Sequence, residues 1–162
     1  MSWSRRTVLA AAAATLAACG FEPALAPGSA GRGVLDDVAV EPPETRVEYH
    51  LVDRLEQRLG QPAAPNYRLD YEVEQETIAT GVTADEVTTR RSVVADVAYV
   101  LSDTASGTVV RRGRVQNFTG YSATSTTVAT QIGAEDAQER LMTLLADRIY
   151  YELVATASEW RR

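Results

Sequence analysis

The sequence predicts an α+β two-layer sandwich in the order strand, helix, strand, strand, strand, helix, with two helices packed on one face of a mostly antiparallel four-stranded sheet. Two observations carry this. Three long stretches alternate apolar and polar residues with a period of two, the mark of half-buried strands, and they follow one another on short turns. Two other stretches repeat apolar residues at helical spacing, so two amphipathic helices have one apolar sheet face to cover.

The elements follow in chain order. Val34, Leu35, Val38 and Val40 form a short apolar run ended by Pro42 and Pro43, which reads as a first strand. Thr45, Arg46, Val47, Glu48 has the form of a capping box, in which the Thr hydroxyl and the Glu carboxylate satisfy reciprocal backbone donors at a helix start. Val47, Leu51, Leu55 and Leu59 follow at spacing four, and Gly60 with Pro62 ends the helix. His50 lies one position off this stripe, at its solvated edge, with no partner constellation for catalysis or metal binding.

Tyr67, Leu69, Tyr71 and Val73 alternate with Arg68, Asp70, Glu72 and Glu74 in a strand running toward Thr80. Gly81 to Glu86 turns the chain, and Val93, Ala95, Val97, Tyr99 and Leu101 alternate with Arg90, Ser92, Val94 and Asp96. Asp103 to Gly107 supplies the next hairpin. The third long strand runs from about Thr108 to Tyr121, with Val109, Val115 and Tyr121 on one parity and Arg112, Arg114, Gln116 and Phe118 on the other. Ser122 to Thr130 reads as a polar, Thr-rich connection. Beyond Gly133, the positions Ala137, Leu141, Leu144, Leu145, Ile149 and Leu153 mark a long helix ending near Ala157. The helix-free sheet face is expected to carry charged and polar side chains.

Ahead of this domain, at residues 34–162, stands an export signal. Arg5 and Arg6 lead into the Ala-rich run from Thr7 to Ala18, too short to span a bilayer, which needs about twenty apolar residues. Leu16, Ala17, Ala18, Cys19, Gly20 resembles the lipobox of bacterial lipoproteins. That resemblance implies removal of residues 1–18 as a signal peptide, an S-diacylglycerol thioether on Cys19 and an N-palmitoyl group on its new amine. Several chains hold a protein far more firmly than one, at roughly 0.8 kcal/mol per buried methylene. Ser4 to Leu9 resembles a twin-arginine signal, and the general and twin-arginine routes both remain open. From Glu22 to Gly33 the chain is rich in Pro, Gly, Ala and Ser, as in a flexible tether, so residues 19–33 are expected to link lipid to domain.

Composition narrows the function. The formal net charge is −6, and loss of Arg5 and Arg6 makes the mature chain more acidic, the reverse of a nucleic-acid binder. No lysine occurs, so every basic side chain is a guanidinium, suited to forked bonds with carboxylates and phosphates. One histidine and one cysteine are too few for a zinc or copper site, and no cofactor is expected. Nothing places a base against a nucleophile, so the chain is not expected to be an enzyme.

These features together resemble the lipopolysaccharide-assembly lipoprotein family LptE. Cys19, Gly20, Phe21, Glu22, Pro23 looks like that family's mature start, and Ala134, Glu135, Asp136, Ala137, Gln138, Glu139, Arg140, Leu141 looks like its alphaproteobacterial branch. The resemblance implies a non-enzymatic plug inside the outer-membrane β-barrel LptD, lipid-anchored on the periplasmic side of the outer membrane, that assists barrel assembly and lipopolysaccharide transport to the cell surface. In sorted lipoproteins, Gly20 where Asp would retain the protein in the inner membrane favours the outer membrane. The family is described as binding lipopolysaccharide through basic residues, and the candidates here are Arg90, Arg91, Arg111, Arg112 and Arg114. By parity Arg90, Arg112 and Arg114 share a side with Glu72, Glu74 and Glu76, which leaves cross-strand charge pairing as the competing expectation. An auxiliary lipoprotein of a lipid-transport ABC system is the alternative reading.

If Cys19 serves only to retain the domain, Cys19→Ala should release a folded soluble protein on cell fractionation. Finding the variant still membrane-bound without a barrel partner would refute this.

Overall fold

In the computed structural model, residues 23–82, 88–123 and 126–161 are described. The expected signal peptide and Cys19 lie outside them. Strands β1 (Val38–Val40), β2 (Tyr67–Val82), β3 (Thr88–Asp103) and β4 (Val109–Ser122) form one sheet in the order β1-β2-β3-β4. β1 pairs parallel with β2, while β2–β3 and β3–β4 are antiparallel. Helix α1 (Arg46–Leu59) connects the parallel pair, and α2 (Thr127–Ala155) follows β4, with a short terminal helix α3 (Ala157–Trp160). The two main helices cover one face, so the sandwich is as the sequence predicts.

α1 begins as expected. The Thr45 hydroxyl accepts from the Glu48 N–H at 3.2 Å while Glu48 Oε2 accepts from the Thr45 N–H at 3.2 Å. Leu51, Leu55 and Leu59 are fully buried. Gly60, at φ 89°, closes the helix, and the Asp36 N–H caps the Leu59 carbonyl at 2.6 Å. The core-facing residues of β3 (Val93, Ala95, Val97, Tyr99 and Leu101) are all buried against the helix layer.

Four local features differ from the sequence reading. The first strand is confined to Val38–Val40, because Val34 belongs to a 3-10 turn and Asp36 takes a positive φ of 60° that breaks extension. α2 starts at Thr127, inside the expected connection, with Thr126 as its cap, so Gly133 is interior to the helix. Leu144 is 47% exposed, since Leu141, Leu145 and Ile149 already fill the buried side of that helix. A register shift between Leu101 and Ser102 leaves Val109 38% exposed and sets Val110 against the core instead.

The helices run parallel, with Arg46 near Glu135 and Arg54 and Arg58 near Asp147. Arg54 forks onto both Asp147 oxygens at 2.9 and 3.0 Å, and Arg58 Nε donates to the same carboxylate at 2.9 Å. Burial alone would raise the Asp147 carboxyl, but the hydrogen bonds and charges of the two guanidiniums outweigh it and hold the group below its usual range.

A depressed carboxyl contributes stability that is present above its unfolded value near about pH 4 and is lost as pH falls through the folded value. Asp147→Asn should therefore cost about 2 kcal/mol at pH 7, and the gap to the parent protein should close below about pH 4. Thermal melts across that range check this, and a gap unchanged at low pH would exclude Asp147 as its source.

Candidate functional site

The face that the helices leave free is built by strand register. Because side chains alternate, Asp70, Glu72, Glu74, Glu76 and Ile78 of β2 point to the helix-free side, as do Val94, Asp96, Ala98 and Val100 of β3 and Arg112, Arg114, Gln116 and Phe118 of β4. Register aligns them in rows: Asp70, Val100 and Arg112; Glu72, Ala98 and Arg114; Glu74, Asp96 and Gln116; Glu76, Val94 and Phe118. The surface is thus three columns, acidic on β2, mostly apolar on β3, and basic becoming aromatic on β4. Phe118 is 66% exposed and Ile78 40% exposed.

The face is charged, as expected, but its charges are segregated. Adjacent strands lie about 4.8 Å apart, so β2 and β4 are separated by about 10 Å with β3 between them. The anticipated pairing of Arg112 and Arg114 with the β2 glutamates does not form. Arg114 instead meets Asp96 on β3 at 3.3 Å, an exposed pair of the kind that contributes at most about 1 kcal/mol.

The five candidate arginines do not converge. Arg112 and Arg114 neighbour each other on the free face. Arg90 and Arg91 lie exposed at the far end of the sheet, opposite Ser122 and Tyr121. Ten residue steps along β3 separate Arg90 from Val100, the partner of Arg112, a span of roughly 33 Å. Arg111 sits on the helix side, where its Nη1 donates to Glu159 Oε2 at 3.0 Å.

Close packing behind Arg112 and Arg114 holds their strand in place. The Tyr99 hydroxyl donates to Glu152 Oε2 at 2.9 Å, and burial first, then that carboxylate, pushes the phenol up to about 12 against the opposing effect of Arg111. Gly113 leaves room for the ring: a Cβ there would run into Cζ, Oη and Cε1 of Tyr99. Sequence reasoning passed over Gly113, since its role comes from a cross-strand neighbour.

His50 lines a groove between the helix starts with Arg46, Val47, Ile132 and Glu135. Among the described residues, no cluster of three His, Cys, Asp or Glu side chains is placed to hold a metal ion. No helix there is long and apolar enough to cross a membrane.

Neither a protein-family model nor a curated protein sequence matches the chain. Solved structures do. A protein of Caulobacter crescentus CB15 assigned as a lipoprotein shares the fold with a TM-score of 0.66 and 25% identity, over 79% of this chain and 96% of that one. Rare lipoprotein B of Shewanella oneidensis aligns with a TM-score of 0.58 and 12% identity, over 78% of this chain and 98% of that one. A minor lipoprotein of Acinetobacter baumannii aligns at 0.54 and 20% identity, over 76% and 93%. The class defined by this architecture is the small α+β sandwich of bacterial lipoproteins. More particularly, the fold is that of rare lipoprotein B.

Gly113→Ala should lower stability by about 1–3 kcal/mol, because Tyr99 is buried and cannot move aside. Gly120→Ala on the same strand, where the nearest atom to the new Cβ is 3.6 Å away, serves as the control in urea titrations. Equal midpoints for the two variants would contradict the packing argument.

Proposed function

We propose that this chain is an outer-membrane lipoprotein of the LptE type, anchored through acylated Cys19 on the periplasmic side, and that it acts without enzymatic activity as plug and assembly partner of an LptD β-barrel in lipopolysaccharide transport. The free sheet face carries this reading. A domain seated in a large barrel lies against a polar, charged wall, and a face with segregated acidic and basic columns suits such a wall. The fold shared with rare lipoprotein B supports the reading, as does the resemblance of the mature N-terminus and of Ala134 to Leu141 to the LptE family.

For the proposed lipopolysaccharide contact, we favour Arg112 and Arg114. These two guanidiniums stand side by side on the exposed column, where forked bonds to lipid A phosphates are sterically open. Phe118 continues the column as an apolar contact for acyl chains. Arg111 is directed to Glu159 on the other side, and Arg90 and Arg91 lie too far along the sheet to share the same headgroup.

Affinity purification from envelopes tests the partnership. Recovery of the barrel is expected, and recovery of an ABC transporter without it would overturn the reading in favour of an auxiliary transporter lipoprotein. Replacing Arg112 and Arg114 together by Ala should weaken lipopolysaccharide binding while the melting temperature stays unchanged. Lost stability with unchanged binding would assign both residues to the fold alone.

A further inference from the structure

Composition marks Glu22 to Gly33 as a tether, yet its described part folds back on the domain. The Ser29 hydroxyl donates to the Ala24 carbonyl at 2.7 Å, and the Ala26 and Ser29 N–H groups close successive turns at 3.0 Å. Gly31 is buried with no room for a Cβ between the Ala24 carbonyl and Val154. Arg161 holds this strap from the other terminus. Its Nη1 donates to the Ala30 carbonyl at 3.3 Å and its Nη2 to Asp37 Oδ2 at 3.0 Å, in a pair whose side chains are only 27% and 13% exposed. Three residues, Gly20, Phe21 and Glu22, separate Cys19 from the strap in sequence. Four Cα–Cα steps reach at most about 14 Å.

The strap lies at one end of the sandwich. Asp37 accepts from Asn66, and the Thr104 N–H donates to the Asn66 carbonyl, so the strap, the Gln61–Asn66 loop and the β3–β4 hairpin share that end. Pro23 to Gly31, Gln61 to Asn66 and Thr104 to Val110 carry no charged side chain, in a chain that is 23% charged. Leu25 and Val109 are 41% and 38% exposed there, with Ala63, Ala64 and Ala105 also exposed. The charged neighbours of these loops are the exposed Arg32 and Glu159, the latter paired with Arg111, and the loops between them offer apolar side chains to a headgroup region at little desolvation cost.

We infer that, in the anchored protein before it is seated in a barrel, this end of the domain rests directly on the lipid surface that holds the Cys19 acyl chains, with the opposite end, at Arg90 and the start of α2, pointing away from it. The inference rests on the reading of Cys19 as acylated. The strap acts as a clamp that sets the orientation.

The test uses the full acylated protein in phosphatidylethanolamine–phosphatidylglycerol vesicles containing headgroup-nitroxide lipid. Fluorescent labels are placed on Ala64→Cys, Ala105→Cys and, at the far end, Ala129→Cys; the native thiol is already blocked by the thioether. Labels at 64 and 105 should be quenched at least threefold more than the label at 129. Equal quenching at all three positions overturns the inference, as does protection of 64 and 105 from soluble iodide without lipid quenching, which would assign this end to contact between copies of the chain. An unacylated mass for the purified protein refutes the anchored reading itself, whereas an acylated mass with unquenched labels refutes only the orientation.

Discussion

The connection between β1 and β2 places α1 beside α2, parallel to it and on the same side of the sheet. Side-by-side parallel helices align their dipoles unfavourably, and their contact is set by charge as well as by apolar packing. One carboxylate, Asp147, receives the forked guanidinium of Arg54 and the Nε of Arg58. This contact joins α1, which lies against β1, to α2, which lies against β3 and β4, and closes the helix layer over one face. The other face is left bare, and strands of 14 to 16 residues extend beyond the start of α1. The free face and the overhanging end therefore follow from the way the helix layer is closed.

On the bare face, β3 decides the chemistry. Its small and branched side chains, Val94, Ala98 and Val100, separate an acidic column from a basic one by about 10 Å, beyond contact distance for a direct ion pair. Apart from the exposed Arg114–Asp96 and Arg68–Asp70 pairs, the two columns therefore keep their charge available to whatever lies against them. A charged partner surface would meet them at a lower desolvation cost than if they had already been buried against each other.

Much of this was legible in the residues. The capping box at Thr45 and Glu48 marked the start of α1, and strict alternation in β2 and β3 identified the buried face residue by residue. The rest depended on neighbours that local pattern cannot supply. The first turns of α2 hold Thr127, Val128, Thr130 and Ile132, weak helix formers that project past α1, and Val128 and Ile132 stay exposed there. Without a partner to cover, they show no amphipathic stripe. Parity put Arg112 and Arg114 on the same side as the glutamates, but only strand order shows that β3 stands between them. The Pro- and Gly-rich start of the chain has the composition of a linker, and the contact that docks it comes from Arg161 at the opposite terminus.

The docked strap also bears on how an anchored domain searches for a partner. A domain on a long flexible leash explores all orientations within a hemisphere, and a docking encounter must then select one at an entropic cost. On the proposed anchoring at Cys19, a strap docked on the domain from Pro23 onward would confine the domain to lateral diffusion in the membrane plane with its tilt restricted. Encounter becomes a two-dimensional search with few rotational degrees of freedom left to lose. In that setting even weak surface complementarity sustains a long-lived complex, through effective concentration more than through contact energy.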